Sequence, residues 1–157
     1  MKFDQIFKRF VEHGAKLKTI SVASCDLEGV PNSASKMLIA IEPPNAVYFL
    51  DYKSTRTYAN SVANPRLSVS FMDDMHFLGY RLTGKGVVLE SGEDYKKARQ
   101  KWEKRLIRYE ADRILQRVRG EYSARDAENV LPKDFVIIKL AAEEAAMIRP
   151  DRVFRAQ

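Results

Sequence analysis

Residues 51–71 read DYKSTRTYANSVANPRLSVSF, and the fold turns on how this stretch divides. Its first half has the pattern of a turn that opens a short helix. Ser54 stands where an N-cap belongs, and Thr55, Arg56 and Thr57 fill the first turn after it. A first turn presents unpaired backbone N–H groups and the positive end of the helix dipole, which together attract an anion. Two hydroxyls and a guanidinium placed there suit a terminal phosphate. A capped helix carrying a solvated arginine fits the same local pattern. The helix is expected to turn Tyr58, Ala59, Val62 and Ala63 inward and to stop at Asn64-Pro65, because proline pushes its predecessor out of the helical region. Leu67, Val69 and Phe71 then alternate with Arg66, Ser68 and Ser70, which is strand periodicity.

Working outward, the chain of 157 residues is long enough for one domain with a substantial core, and its composition is that of a globular protein. We read residues 1–157 as a single domain. The lone cysteine, Cys25, excludes an intrachain disulfide and suits a reducing, cytoplasmic setting. The N-terminal residues MKFDQIFKRFVEHG mix acids into an amphipathic pattern, unlike a signal peptide. No stretch approaches the roughly 20 apolar residues that span a bilayer, so no membrane partner is expected. The net charge of +6 is largely local: ten lysines and arginines lie in residues 96–119 against Glu103, Glu110 and Asp112.

The remaining elements follow from periodicity. Phe3, Ile6, Phe7 and Phe10 recur at helical spacing within residues 2–13, and Gly14 suits the end of that helix. Residues 18–26 read as a strand, 27–31 as a turn and 32–42 as a second strand. The second strand opens with the small residues Asn32, Ser33, Ala34 and Ser35. They let a flat ligand approach the backbone, and Lys36 adds a cation at the far edge; an ordinary edge strand with Ser33 and Ser35 facing water fits equally well. Residues 46–51 and 66–73 are strands, as are residues 77–90, with a bend expected at Gly84 or Gly86. His76 beside Asp73 and Asp74 has the donor types of a metal site, but consecutive ligands do not converge on one ion, which argues against it. Short strands with one interposed helix suggest a small barrel.

A long helix begins near residue 93, capped by Ser91, as part of a helical insertion over about residues 93–129. Tyr95, Ala98, Trp102, Leu106 and Tyr109 form an apolar stripe, which Ile107, Ala111, Ile114, Leu115 and Val118 continue up to a terminating Gly120. The basic residues fill the other face and read as solvated. Aromatic residues are not arranged to stack bases, which disfavours nucleic acid as a partner. Residues 122–132 read as an irregular or short helical connection and 134–140 as a strand, while 141–149 fit either a continued strand or a helix.

The ordered set PNSASK at 31–36, FLDYKSTRT at 49–57, ANP at 63–65 and YRLTGKG at 80–86 resembles the pyridoxamine 5′-phosphate oxidase-like family of FMN-binding split barrels. The resemblance spans about residues 15–92. It implies a mainly β, α+β fold: a six-stranded antiparallel split barrel with a short phosphate-binding helix, an N-terminal helix and a long helix in the C-terminal half. It also implies FMN as cofactor, held between the two subunits of a homodimer. By analogy with the family, Asn32, Ser33, Ala34, Ser35 and Lys36 line the flavin, Leu50 and Asp51 touch it, and Thr55, Arg56 and Thr57 hold its phosphate.

The chain also departs from the oxidases. Thr57 stands where they have a lysine, and Gly79 where they have a glutamine. The tail RPDRVFRAQ lacks their Arg-x-His element. Tyr109 and Arg113 keep a Tyr-x-x-x-Arg spacing, but Arg117 replaces the serine that follows. The resemblance therefore implies an FMN-dependent oxidoreductase of unassigned substrate, with no residue marked as acid or base. Its alternatives are a non-catalytic FMN-binding or electron-transfer protein, or a split barrel using deazaflavin or haem. Haem would have only His13 and His76 as axial ligands.

Overall fold

The computed structural model describes residues 1–120 and 134–157; the connection expected at 122–132 lies outside the described residues. Helix α1 (Phe3–Gly14) leads into β1 (Thr19–Cys25), β2 (Pro31–Glu42) and β3 (Ala46–Asp51). Helix α2 (Arg56–Ala63) precedes the β4 (Arg66–Asp73) and β5 (Leu78–Leu89) hairpin. Helix α3 (Glu93–Val118), β6 (Val136–Ile148) and β7 (Val153–Ala156) complete the described chain. No described helix is long and apolar enough to cross a membrane.

All strand pairs are antiparallel. The order β3-β2-β1-β4-β5-β6 closes through pairing of β3 with β6, giving a six-stranded barrel with β7 as a seventh strand. The split lies on β6. Its first half pairs with β3, from Ala46 opposite Ala141 to Asp51 opposite Val136. Beyond that point β3 has ended, and β7 takes its place with Ala145 opposite Ala156. Asn45 marks the parting: its carbonyl accepts from the Ala142 N–H at 2.8 Å, and its side-chain amide donates to the Ala142 carbonyl at 3.0 Å. The β6 sequence therefore runs on as strand through residues 141–148, and the tail forms β7, an element absent from the sequence reading.

Inward-facing Ile20, Val22, Leu38, Val47, Phe49, Leu67, Val69, Leu82, Ile138 and Leu140 fill the barrel, and Ile6, Phe7 and Phe10 of α1 cover one end. The bend in β5 falls at Gly84, where the β5–β6 register shifts after Thr83. An added Cβ there would lie 2.0 Å from the Ala141 carbonyl oxygen, so only glycine lets the strands meet.

Helix α3 packs on the outer face of β2, β3 and β6. Ala98 and Trp102 are buried against Ile39, Tyr48, Leu50 and Ile137, with Tyr95, Leu106 and Tyr109 at the margin, so the first stripe packs on its own barrel. Its cap is Gly92 rather than Ser91, at φ 92°, a backbone conformation that favours glycine. The second stripe does not pack: Ile107, Ile114, Leu115 and Val118 are exposed.

Helix α2 also reverses its expected face. Thr57, Asn60 and Ser61 are buried, whereas Ala59, Val62 and Ala63 are exposed, Val62 to 65%. The reason is the surface beneath it. The Asn60 amide donates to Ser24 Oγ at 3.0 Å and the Asn64 amide to Cys25 Sγ at 3.2 Å. The helix sits on the polar end of the β1–β2 hairpin and needs a polar face to satisfy it.

Candidate functional site

The start of α2 is capped one residue later than the sequence suggests. Thr55 is the N-cap, and its Oγ1 accepts from the Tyr58 N–H at 3.1 Å; Ser54 is exposed. The Thr55 N–H donates to the Tyr52 carbonyl. Arg56 and Thr57 are thus the first two helical residues, and no capping bond takes their N–H groups. Arg56 is exposed and forms no ion pair with any described residue. Thr57 is only 1% exposed, and its hydroxyl accepts from the Asn32 amide at 3.1 Å. The groups left open at this turn are the backbone N–H groups of Arg56 and Thr57 and the Arg56 guanidinium, while the Thr55 hydroxyl is spent on Asp51 and Thr57 is buried.

Asn32 joins this turn to the strands. Its amide also reaches Ser24 Oγ at 3.2 Å, the oxygen that Asn60 engages. One serine and one asparagine therefore fix where α2 begins relative to β2.

Below the turn lies a buried ion pair. Lys36 Nζ donates to Asp51 Oδ1 at 2.5 Å, with Lys36 9% and Asp51 0% exposed. The same Oδ1 accepts from the Tyr52 N–H at 2.8 Å and from the Thr55 hydroxyl at 2.9 Å. Lys36 is therefore neutralised inside the wall and is no open cation at the edge of the platform. Asp51 Oδ2 is buried without a partner among the described residues. An unpaired buried carboxylate oxygen is costly, so it marks a place where a donor belongs. The Tyr52 hydroxyl is held above its ordinary pKa by partial burial first and by the Asp51 charge second. Leu50 points to the other side, under α3, which leaves only its backbone near the turn.

Ser33 and Ser35 are exposed on β2, as the alternation requires, while Asn32 and Ala34 are half-buried. Register extends their face across the sheet. Ser35 lies opposite Ser21, Ser21 opposite Ser70, Ser70 opposite Arg81, and Arg81 opposite Ala146. A second row runs Ser33, Ala23, Ser68, Thr83 and Glu144. The result is a broad face of small side chains ending at Arg81 and, on β7, Arg155 opposite Ala146. A cavity of about 460 Å³ lies at that end, lined among others by Arg81, Thr83, Glu144, Arg155 and Gln157. Ser21, Ala23, Ser68, Ser70, Arg81 and Thr83 join this face although no local motif marks them. The alternation of small residues on β1 and β4 was the available signal, but only register shows that they form one face.

Gly79, where the oxidases have glutamine, pairs with Met72 and Ile148, away from this face's centre. Tyr109 packs against Trp102, and its hydroxyl is buried with no partner among the described residues. No described residue presents the geometry of a dedicated general acid or base at the α2 turn.

Comparison with known proteins matches this architecture. No curated protein matches the chain by sequence. A Clostridium acetobutylicum protein related to general stress protein 26 of B. subtilis, of the pyridoxinephosphate oxidase family, superposes with a TM-score of 0.66 at 15% identity, covering 97% of this chain and 94% of its own. A pyridoxamine 5′-phosphate oxidase-related, FMN binding protein from Nostoc punctiforme superposes at 0.58 with 11% identity, covering 96% and 87%. A heme binding protein from Mycobacterium smegmatis superposes at 0.64 with 13% identity, covering 98% of this chain and 56% of that one. The family profile described as pyridoxamine 5′-phosphate oxidase matches residues 4–149, nearly the whole described barrel. The chain, with its six-stranded split barrel and its capped turn beside the small-residue face, belongs to the pyridoxamine 5′-phosphate oxidase family.

Proposed function

We propose that this protein binds FMN and works as an FMN-dependent oxidoreductase. The observation that carries the reading is Thr55, whose single hydroxyl ties the buried Asp51 carboxylate to the anion-ready start of α2. On this reading the N–H groups of Arg56 and Thr57 receive the phosphate and the Arg56 guanidinium supplies its charge partner. Asp51 acts from within the wall, where its Oδ1 holds the Thr55 cap and the Tyr52 N–H in place beneath the ligand. Asn32, Ser33, Ala34 and Ser35 support the flat ring with their backbone, as Leu50 does at the end of β3. Lys36 acts through Asp51 by fixing that carboxylate in the wall. Bound FMN supplies the hydride and electron chemistry; the chain supplies position and charge.

A homodimer with a shared site follows from the same features. The small-residue face and the outward apolar residues of α2 lack cover in one subunit, and a planar ligand on a shelf needs a second wall.

FMN and riboflavin titrations of wild type and Arg56→Ala test the reading. Loss of a charge-assisted hydrogen bond of about 1.5–3 kcal/mol weakens FMN roughly 10- to 150-fold and leaves riboflavin, which lacks the phosphate, unchanged. Equal losses for both ligands, or a protein that takes up no FMN, would overturn it. A reduced flavin that reoxidises only through a protein partner would favour electron transfer over substrate turnover.

A further inference from the structure

At the opposite end of β4 from α2, three side chains from distant parts of the sequence converge. His13 sits in the last turn of α1, Asp73 ends β4, and His76 lies in the link to β5. His13 Nδ1 contacts Asp73 Oδ2, and His76 Nδ1 lies 2.9 Å from the same oxygen and 3.1 Å from Oδ1. One candidate ligand atom from each residue lies within 4.8 Å of the others, and this is the only such group of three among the described residues. In sequence only Asp73, Asp74 and His76 lie near one another, and neighbouring residues of one strand end do not converge on an ion. The missing ligand comes from the N-terminal helix.

We propose that His13, Asp73 and His76 bind a divalent transition metal ion, zinc or an ion of similar preference, with water completing its shell. Imidazole nitrogen and carboxylate oxygen are the donors such ions take. At metal–ligand bonds of about 2.0–2.2 Å, tetrahedral ligand atoms stand roughly 3.4 Å apart, so these three need only a small spread to admit the ion. The carboxylate supplies one negative charge, and the two neutral rings supply lone pairs.

The surroundings hold the ligands in place. The His13 ring packs on Tyr80 with centroids 5.3 Å apart, and the two histidine rings stand perpendicular at 5.6 Å. The helix end is seated closely, since a Cβ on Gly14 would lie 2.7 Å from Ile41 Cδ1. The turn that returns His76 over Asp73 is strained. Phe77 has φ 54°, an unfavourable conformation for a bulky residue, and the residue is 66% exposed, so burial does not offset it. The His76 N–H donates to Asp73 Oδ1 at 3.2 Å and closes the turn on the carboxylate. Asp73 lies on the inward side of β4 with Leu67, Val69 and Phe71, opposite the side bearing Ser68 and Ser70, so this site is independent of the proposed FMN site.

The competing account is a hydrogen-bonded clasp holding α1 to the barrel. Calorimetric zinc titration and visible absorption with cobalt(II), on the whole protein, separate the two. The expected result is one ion per chain at micromolar concentration, with cobalt ligand-field bands that zinc abolishes. His76→Asn and His13→Asn keep an N–H donor toward Asp73 but make poor metal ligands. Each should weaken binding by more than the roughly 10- to 100-fold that losing an outer partner costs. Zinc should raise the melting temperature of wild type but not of either variant, while the metal-free proteins show the same circular dichroism. His76 is the more exposed ligand, so its variant alone suffices if His13→Asn fails to fold. A wild type that takes up neither ion, or that binds as tightly after substitution, overturns the proposal.

Discussion

Lys36 and Asp51 face each other at 2.5 Å in the wall where β2 and β3 run side by side, and neither reaches solvent to a useful degree. A pair in that position stabilises the fold only as a pair. Lys36→Met should cost about 3–5 kcal/mol, because it leaves a buried carboxylate uncompensated. Lys36→Met combined with Asp51→Asn should recover much of that loss, since asparagine still accepts from Tyr52 and Thr55 and carries no charge. Urea unfolding of both variants checks this, and a cost below about 1 kcal/mol for the single variant would show that water reaches the pair.

Gly84→Ala should be the most damaging conservative change in the barrel. Its methyl group would meet the backbone of β6, 2.0 Å from the Ala141 oxygen, where no rotamer can relieve it. Gly86→Ala meets a side chain instead, Leu67 Cδ1 at 2.3 Å, and should cost about 1–3 kcal/mol as ordinary overpacking. Melting temperatures rank the two, and the reverse order would place the β-bulge elsewhere.

Trp102→Ala should cost about 3–5 kcal/mol by opening a cavity between α3 and the barrel. Leu115→Ser and Val118→Ser, on the exposed half of the same helix, should stay within about 0.5 kcal/mol. A large loss at Leu115 or Val118 in chemical denaturation would mean that another surface covers that half.

The Lys139–Asp94 pair ties the first turn of α3 to β6 at 2.7 Å. The hydrogen bond holds the Asp94 carboxyl below its ordinary pKa and raises that of Lys139 above its own. A depressed acid contributes stability above its unfolded pKa and loses it as pH falls through the folded value. A raised base contributes below its unfolded pKa and loses it as pH rises through the folded value. The stability difference between wild type and Lys139→Met should therefore be flat from about pH 5 to 9 and shrink on both sides. Unfolding curves across that range test it, and a difference that grows toward acid would contradict the pairing.

Much of this arrangement was legible in the sequence. The strand 66–73, the helix read at residues 2–13 and the apolar stripe of Trp102 all followed from periodicity, which reports local burial well. The failures share a cause. Val62 pointed inward by hydrophobicity, yet the surface under α2 is made of Ser24 and Asn32, which the local pattern cannot see. Thr57 is only 1% exposed and accepts from the Asn32 amide, a burial that its local sequence does not show. Lys36 read as an open cation until Asp51 met it across the register. His13 lay far from Asp73 in sequence and joined it only through packing. In each case the deciding neighbour comes from another element.

The parting of β6 between two partners also orders the folding of the barrel in time. The β1–β2 and β4–β5 pairs join neighbouring segments and close short loops, which is fast. The β3–β6 seam joins Ala46 to Ala141 and must wait for a closure that spans most of the chain. Substitutions on the seam, such as Val47→Ala, should therefore speed unfolding while leaving the folding rate nearly untouched. Those in the β4–β5 hairpin should slow folding itself.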